Sequence, residues 1–205
     1  GITSYLVDML NAGCFEALQD VQCFDLGAVE SIRENPKHIE ISATDYASPK
    51  AKSCAASSLD VVVLGATQID TDFNVNVHTD SSGFITGGSG GHSDTAEESK
   101  VSIIVAPLFR ARLPIIVNKV ITTSTPGKNV DVLVTQRGIA VNPLRQDIYN
   151  NLHSSGLPLF DIKELKALAE KYTGVPDDYS PQGRIIAKVE HRNGEIIDEI
   201  RQTEA

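Results

Sequence analysis

The stretch LDVVVLGA, residues 59–66, decides the fold class of this 205-residue chain. It is a continuous, largely β-branched run that leads into a glycine, a pattern typical of a strand buried on both faces of a sheet. The stretch VSIIVAPL, residues 101–108, repeats the pattern. Helical spacing follows in residues 142–156 and 161–174. Buried strands with intervening helices predict an α/β fold with a mostly parallel sheet flanked by helices.

The remaining apolar runs extend this sheet and add a hairpin at the end of the sequence. Three more strands are predicted, at LPIIVNKVITT (113–123), DVLVT (131–135) and GIAV (138–141). Residues 184–203 form two alternating runs around Asn193-Gly194, which is a strong hairpin signal. We therefore expect an α/β domain over residues 1–182 and a β-hairpin appendage over residues 183–205.

The composition restricts the possible partners. A formal net charge of −9 argues against nucleic acid and against an anionic membrane surface as the main partner. No apolar run approaches the ~18 residues of a membrane span, and no signal-peptide pattern is visible. The three cysteines are an odd number without metal-ligand spacing. These observations predict reduced thiols, no bound metal and a cytoplasmic location.

The most unusual stretch is TGGSGGHSDT, residues 86–95, which holds four of the 15 glycines of the chain within five residues. Residues 94–100 are a predicted helix with Asp94 as its cap. The loop would then present backbone N–H groups at a helix N-terminus, where anions or a developing oxyanion bind. The alternative is a flexible surface turn. The pattern matches neither a Walker A loop nor GxGxxG, so a nucleotide site is not favoured.

The ionisable and amide side chains around this loop allow two interpretations each. His92 and Asp94 have the chemistry of a general acid and base, or they only hold the loop and cap the helix. Asn74 and Asn76 alternate along residues 70–80 and would either line a cleft or face solvent from an edge strand. The spacing of His78, His92 and Asp94 does not favour a metal site.

Arginines follow directly after the predicted strand at residues 101–108. Because ligands of open parallel sheets bind beyond the carboxyl ends of the strands, Arg110 and Arg112 would lie near the expected cleft. Arginine binds carboxylates and phosphates through paired hydrogen bonds, although two solvated arginines are equally ordinary. The remaining histidines are predicted to be exposed and to have no functional role, namely His38, His153 and His191.

The order of these motifs resembles the coenzyme A transferase (NagB/RpiA-like) fold family. The strand ending in LGA, the glycine loop followed by an aspartate, and the strand VDVLVT carry this resemblance. The stretches GITSYLVDMLNAG, GGSGGHSDTA, TQRGIAVNP and RNGEIID are similar to the citrate lyase alpha-subunit branch of that family. The resemblance covers nearly the whole chain. We expect the chain to correspond to the carboxy-terminal half of a longer subunit, which fits a sequence that starts at Gly1.

The resemblance implies an acyl exchange in which an acetyl thioester and citrate give a citryl thioester and acetate. The thioester would be carried by the phosphoribosyl-dephospho-CoA group of an acyl-carrier (gamma) subunit, and a beta subunit would cleave the product, so an oligomeric complex is expected. Gly90, Gly91 and His92 would act on the reacting carbonyl. The expected substrate-binding residues are Asn74, Asn76, Gly87, Gly88, Ser89, Asp94, Arg110 and Arg112.

One departure from the family pattern bears on the mechanism. Many coenzyme A transferases carry a nucleophilic glutamate, whereas the corresponding stretch here, QCFDLGAV, has Phe24 and Asp25 near that place. The resemblance to the citrate lyase branch implies that citrate itself attacks the thioester to form a mixed anhydride. The alternatives are a transferase or thioesterase that uses Asp25 covalently, a noncatalytic subunit that docks the carrier arm, and a sugar-phosphate isomerase of similar fold.

Overall fold

A computed structural model describes residues 1–51, 53–177 and 179–203. By their internal contacts these residues form two compact units, residues 1–55 and 56–205. The predicted boundary at residue 182 stays a prediction, and residues 204–205 of the predicted appendage lie outside the described residues. No helix in the described ranges is long and apolar enough to cross a membrane.

The first unit is a small α/β arrangement around a two-stranded parallel sheet. Its elements are α1 (Ser4–Asn11), β1 (Leu18–Asp20), α2 (Leu26–Glu34), β2 (His38–Glu40) and α3 (Ala43–Ala47). Strand β1 pairs with β2 in the register Leu18↔His38. Helices α1 and α2 pack on this sheet through a small apolar core that includes Val7, Leu10 and Ala28. A 3-10 turn, Ala55–Ser58, follows in the sequence.

The second unit contains most of the strands and three helices. The strands are β3 (Val61–Leu64), β4 (Gln68–Asp70), β5 (Val75–Asn76), β6 (Val101–Val105), β7 (Phe109–Arg110), β8 (Leu113–Pro114), β9 (Ile116–Val117), β10 (Val132–Thr135), β11 (Gly138–Val141), β12 (Ile185–Glu190) and β13 (Ile196–Arg201). The helices are α4 (His92–Glu98), α5 (Gln146–Leu152) and α6 (Ile162–Thr173), and Gly127–Asn129 forms a 3-10 turn.

The main sheet confirms the α/β prediction and its parallel character. Its order is β11-β10-β6-β3, with β3, β6 and β10 parallel and only β11 antiparallel. A second sheet has the order β5-β4-β9, in which β4 pairs antiparallel with β5 and parallel with β9. Ile69, Phe73, Ile104, Leu133 and Leu165 are buried in the core between these sheets and α6. Hairpin β12-β13 also forms as predicted.

Two details of the predicted strands are wrong. Residues 61–64 form a strand, but Val61 and Val63 are 50% and 62% exposed, because β3 lies at the edge of its sheet with one face open. The long strand predicted over residues 113–123 forms only as the short β8 and β9, since the chain turns after Val117. The apolar composition of these segments indicates strand but does not define where it stops.

Candidate functional site

The glycine loop, residues 87–91, is an exposed connection with free space above its backbone. No heavy atom lies within 4 Å of the position that a Cβ would occupy at Gly87, Gly88 or Gly90. Gly90 has a φ of +53°, in the left-handed region that glycine adopts readily. The loop is held at its beginning by the Thr86 N–H, which donates to the His78 carbonyl over 2.8 Å. It is therefore a backbone surface that a ligand can approach closely.

The loop leads directly into helix α4, whose N-cap lies three residues earlier than predicted. Gly91 is the N-cap and no side chain caps the helix, whereas Asp94, the predicted cap, lies in its first turn. The Gly91 carbonyl instead accepts from both the backbone N–H and the hydroxyl of Thr95, over 2.9 and 2.8 Å. The His92 N–H also donates to the Ser89 carbonyl over 3.1 Å. The loop therefore ends at a helix N-terminus that has no side-chain cap among the described residues.

His92 fixes the loop to the main sheet through both of its ring nitrogens. Nε2 lies 2.9 Å from the Gly65 carbonyl and Nδ1 lies 2.8 Å from the Thr125 hydroxyl. A carbonyl only accepts, so Nε2 carries the proton and Nδ1 accepts from Thr125. Burial lowers the pKa of His92, the hydrogen bond to the Gly65 carbonyl opposes this shift, and the nearby His78 adds to it. The lowered pKa favours the neutral ring, with both nitrogens occupied in these bonds.

Helix α4 is also held by the turn of the C-terminal hairpin. The Arg192 side chain, 7% exposed, places Nη1 2.8 Å from Glu98 Oε1 and 3.2 Å from the Asp94 carbonyl. Its Nε lies 3.8 Å from Asp94 Oδ1, and His191 Nε2 lies 3.2 Å from Glu97 Oε2. Burial raises the pKa of Asp94, while the Arg192 charge opposes that rise. The hairpin thus supports the helix that ends the glycine loop.

The contact between the hairpin turn and helix α4 was not predicted from the sequence. His191 was predicted to be exposed, but it is buried beside Glu97. A signal was available, because Asp94, Glu97 and Glu98 are spaced i, i+3 and i+4 on one face of a short helix. An acidic face of this kind is stabilised by a neighbouring cation. The sequence does not show which lysine, arginine or histidine takes that position.

The two asparagines do not form the predicted row along a cleft. Only Val75–Asn76 is extended, since Phe73 has a φ of +65° and the Asp70 carboxylate accepts from the backbone of a turn at residues 72–74. The Asn74 side-chain NH₂ donates to the Asp70 carboxylate, and its amide oxygen accepts from the Gly127 N–H. Asn76 is fully buried and bonds Gln68 and Thr79. Both amides therefore serve the internal structure.

The potential metal ligands of this region do not come together. His78 Nδ1 lies 2.6 Å from the Ser124 hydroxyl, which also accepts from the Val77 N–H over 2.9 Å. Within the described ranges, His78, His92 and Asp94 do not form a ligand group. A group of three ligand side chains, Asp20, Cys23 and His38, lies instead in the first unit.

Arg110 and Arg112 lie at the tip of a strained hairpin. Strands β7 and β8 pair as Phe109↔Pro114 and Arg110↔Leu113. The two turn residues, Ala111 and Arg112, have φ values of +46° and +67°, which glycine or asparagine usually provides. Both arginines are exposed, and among the described residues neither guanidinium group has an ion pair or a hydrogen bond.

Asp25 is a helix cap. Oδ1 accepts from the Ser4 hydroxyl and the Ala28 N–H over 2.7 and 2.9 Å, and Oδ2 accepts from the Ser4 N–H over 2.8 Å. The Ser4 backbone bond is the largest of the causes that lower the pKa of this carboxyl. Both oxygens are thus engaged within the first unit.

The second unit also contains a large groove. Its volume is about 1150 Å³, and its lining includes Phe84, Lys119, Lys166, Tyr179 and Asp198. Neither the glycine loop nor the two exposed arginines line it, although Leu113 and Pro114, directly after Arg112, do.

Comparison with known proteins identifies close relatives over almost the whole chain. Residues 1–203 match the family model described as "Citrate lyase, alpha subunit (CitF)". The chain is 51% identical to the citrate lyase alpha chain of Klebsiella pneumoniae and 48% identical to that of Escherichia coli, over 98% of its own length. It spans only 40% of the length of each of these relatives.

Solved structures agree with this comparison. A citrate-bound structure from Streptococcus mutans, assigned to the citrate lyase alpha subunit, superposes with a TM-score of 0.95 and 43% identity. It covers 100% of this chain, which in turn covers 40% of that chain. RipA from Yersinia pestis superposes with a TM-score of 0.54 at 17% identity over 83% of this chain, a likeness of fold alone.

Proposed function

Because the chain belongs to the citrate lyase alpha-subunit family, we propose that it supplies one wall of a site that exchanges acetyl for citryl on a thioester. A citrate carboxylate attacks the acetyl thioester carbonyl, the C–S bond breaks, and a mixed anhydride and a thiolate form. The thiolate then attacks the citryl carbonyl of the anhydride, and acetate leaves. No protein side chain becomes acylated in this sequence.

The open glycine loop is the observation that supports this proposal. Each attack passes through a tetrahedral oxyanion, which preorganised backbone N–H groups stabilise without reorganising. Gly90 and Gly91 immediately precede His92, the first residue of α4, and the first N–H groups of a helix have no intrahelical partner. The free space at Gly87 and Gly88, beside Ser89, leaves room for the thioester arm. A site of this kind needs orientation and oxyanion stabilisation more than it needs a nucleophile.

In this proposal His92 is a positioning residue. Its two hydrogen bonds fix the end of the loop against Gly65 and Thr125. To donate to an oxyanion it would have to break the bond to the Gly65 carbonyl and leave that carbonyl unpaired. Asp94 is also a positioning residue, because it holds helix α4 through Arg192. In this proposal the oxyanion is stabilised by backbone N–H groups and not by the side chains of His92 and Asp94.

The thioester donor in this proposal is the phosphoribosyl-dephospho-CoA arm of an acyl-carrier (gamma) subunit. A beta subunit consumes the citryl product, and the exchange takes place in the cytoplasm as part of an oligomeric complex. The relatives are chains of citrate lyase, which supports this assignment.

Arg110 and Arg112 are proposed to bind the carboxylates of citrate. They are exposed cations that pair with none of the described residues, on a chain whose net charge is −9, so they are suited to an anionic ligand. Their turn is built from residues with positive φ, and strain of this kind is concentrated at functional sites.

Substitution of each arginine tests this assignment. Arg110→Ala or Arg112→Ala should raise the citrate KM about tenfold, which corresponds to the loss of one charge-assisted hydrogen bond of ~1.5 kcal/mol. The acetyl-donor KM should stay near its original value. Arg33→Ala is the control, because Arg33 is an exposed arginine on helix α2 of the first unit and follows no strand of the main sheet. A rise in only the donor KM would mean that the arginines bind the phosphate-bearing arm instead.

The covalent alternative is disfavoured by the environment of Asp25. A nucleophilic carboxylate needs an oxygen that is free to reach the thioester carbonyl. Asp25 uses both oxygens to cap α2 and to bond Ser4. Attack would therefore cost the protein the N-terminal cap of a helix in the first unit.

A further inference from the structure

A cluster of three metal-ligating side chains lies between the two strands of the first unit. Asp20 ends β1, Cys23 follows three residues later, and His38 begins the neighbouring strand β2. Their ligand atoms all lie within 4.8 Å of one another. Cys23 Sγ is 3.0 Å and His38 Nε2 is 3.6 Å from the same oxygen, Asp20 Oδ2. Three different ligand types thus converge on one point.

The histidine in this cluster has an unsatisfied nitrogen. The His38 side chain is 0% exposed, and its Nδ1 lies 3.0 Å from the Ser31 hydroxyl. Its Nε2 lies 3.6 Å from Asp20 Oδ2, beyond hydrogen-bond distance, and has no hydrogen-bond partner among the described residues. Buried polar atoms are almost always paired, so an orphaned nitrogen that faces a carboxylate and a thiol points to a missing ligand. The prediction of an exposed His38 is wrong, because the first position of β2 faces the interior of the first unit.

From this geometry we infer that Asp20, Cys23 and His38 bind a zinc ion, with a fourth coordination position open to solvent. Zinc takes thiolate, imidazole and carboxylate ligands at about 2.3, 2.0 and 2.1 Å. Tetrahedral angles then place the ligand atoms roughly 3.4–3.6 Å apart. The His38–Asp20 separation already meets this spacing, and Cys23 would retreat by about half an ångström. Cys23 is only half-buried, on a loop segment, which leaves space for that movement.

The residues around the cluster already orient the ligands. If Nδ1–H of His38 donates to Ser31, Nε2 is left with the lone pair that a metal requires. The Gln22 N–H donates to Asp20 Oδ1 over 2.8 Å, which leaves Oδ2 directed at the cluster. The backbone on either side of Cys23 is held by Ile2, which exchanges hydrogen bonds with the Gln22 carbonyl and the Phe24 N–H. Zinc ligands are usually oriented by such outer hydrogen bonds.

The chemistry of the ligands favours zinc over the hard cations. Mg²⁺ and Ca²⁺ prefer all-oxygen sites, whereas one thiolate and one imidazole suit zinc. The ion would tie β1, the loop after it and β2 together.

Cobalt substitution tests the site directly. The purified protein is stripped of metal and titrated with Co²⁺, then with Zn²⁺ in competition with a chromophoric chelator. We expect one equivalent per chain, a thiolate-to-cobalt charge-transfer band with tetrahedral d–d bands, and displacement of cobalt by zinc. Zinc should also raise the Tm in a concentration-dependent way.

Variants identify the ligands. Cys23→Ser should remove the charge-transfer band and weaken zinc binding at least tenfold, and His38→Gln should weaken it similarly. Cys14→Ser is the matched control, because Cys14 is an exposed thiol of the same unit outside the cluster, and it should bind as the unaltered protein does. Absence of the charge-transfer band in the unaltered protein would overturn the inference even if a variant failed to fold. Equal zinc affinity in the unaltered protein and His38→Gln would also overturn it.

Discussion

The carboxylate of Asp25 accepts three hydrogen bonds within its own unit, and these bonds define its role as a cap. We expect Asp25→Ala to lower the Tm by about 2–4 °C, because capping residues replaced by alanine leave N–H groups unpaired. Asp25→Asn is the control, since asparagine caps almost as well as aspartate. Both variants should retain citrate-dependent release of acetate within a few-fold. Loss of that activity in both folded variants would instead favour the covalent mechanism.

The pH dependence of this cap follows from the lowered pKa. Because the folded pKa of Asp25 lies below its ordinary value, its contribution to stability is complete above the ordinary pKa. That contribution is lost as the pH falls through the folded pKa. Asp25→Asn should therefore remove part of the acid sensitivity of unfolding, which a comparison of Tm against pH would show.

His92 and Thr125 form a coupled pair beneath the glycine loop. His92→Ala and Thr125→Val should each lower the free energy of unfolding by about 1–3 kcal/mol, since each leaves a buried polar group without its partner. In the double variant the two losses should not add, and the interaction energy should be about 0.5 kcal/mol or more. Denaturant titration of all four proteins gives this value. Additive losses would show that the His92–Thr125 bond does not hold the loop.

At the scale of elements, local patterns predicted structure where the determining contacts are also local. Helix α6 has its capping box, with Asp161 and Glu164 bonding each other's backbone, and it ends at Gly174 as the sequence indicates. The hairpin around Asn193-Gly194 forms for the same reason. The extended row predicted over residues 72–78 does not form, because the Asp70 carboxylate organises a turn there. Which backbone groups Asp70 would reach is not readable from residue periodicity.

The contact between hairpin β12-β13 and helix α4 is the element-scale feature most relevant to the site. Arg192→Met should destabilise the second unit by about 1–3 kcal/mol and should speed amide hydrogen exchange in residues 88–96. The reason is that Asp94 and Glu98 would lose their shared cation. Arg201→Met is the control on the same hairpin, because its pair with Glu199 is largely exposed. Unchanged exchange in the loop of a folded Arg192→Met protein would contradict a supporting role.

At the scale of the whole molecule, the sequence located the candidate loop but not what holds it. Four glycines within five residues are recognisable from the sequence alone. The structure adds that no heavy atom lies within 4 Å of the Cβ position at three of them. Gly65, Thr125 and Arg192 support the loop from distant positions in the sequence, so only the folded chain reveals them. The chain spans 40% of the length of its relatives, and the proposal accordingly assigns it one wall of the site.

The central claim is that the open glycine loop receives the reacting thioester, and Gly88→Val tests it most directly. The structure has free space at this position and no positive φ, so the substitution should leave the fold intact while its branched side chain blocks the arm. Ser154→Val, on an exposed loop of the same unit, is the matched control. The measurement is citrate-dependent release of acetate from an acetyl thioester, made on the full-length subunit that contains this chain. We predict that Gly88→Val lowers kcat/KM for the thioester by about 100-fold or more at unchanged Tm. Turnover of Gly88→Val at the rate of the Ser154→Val control would contradict the account.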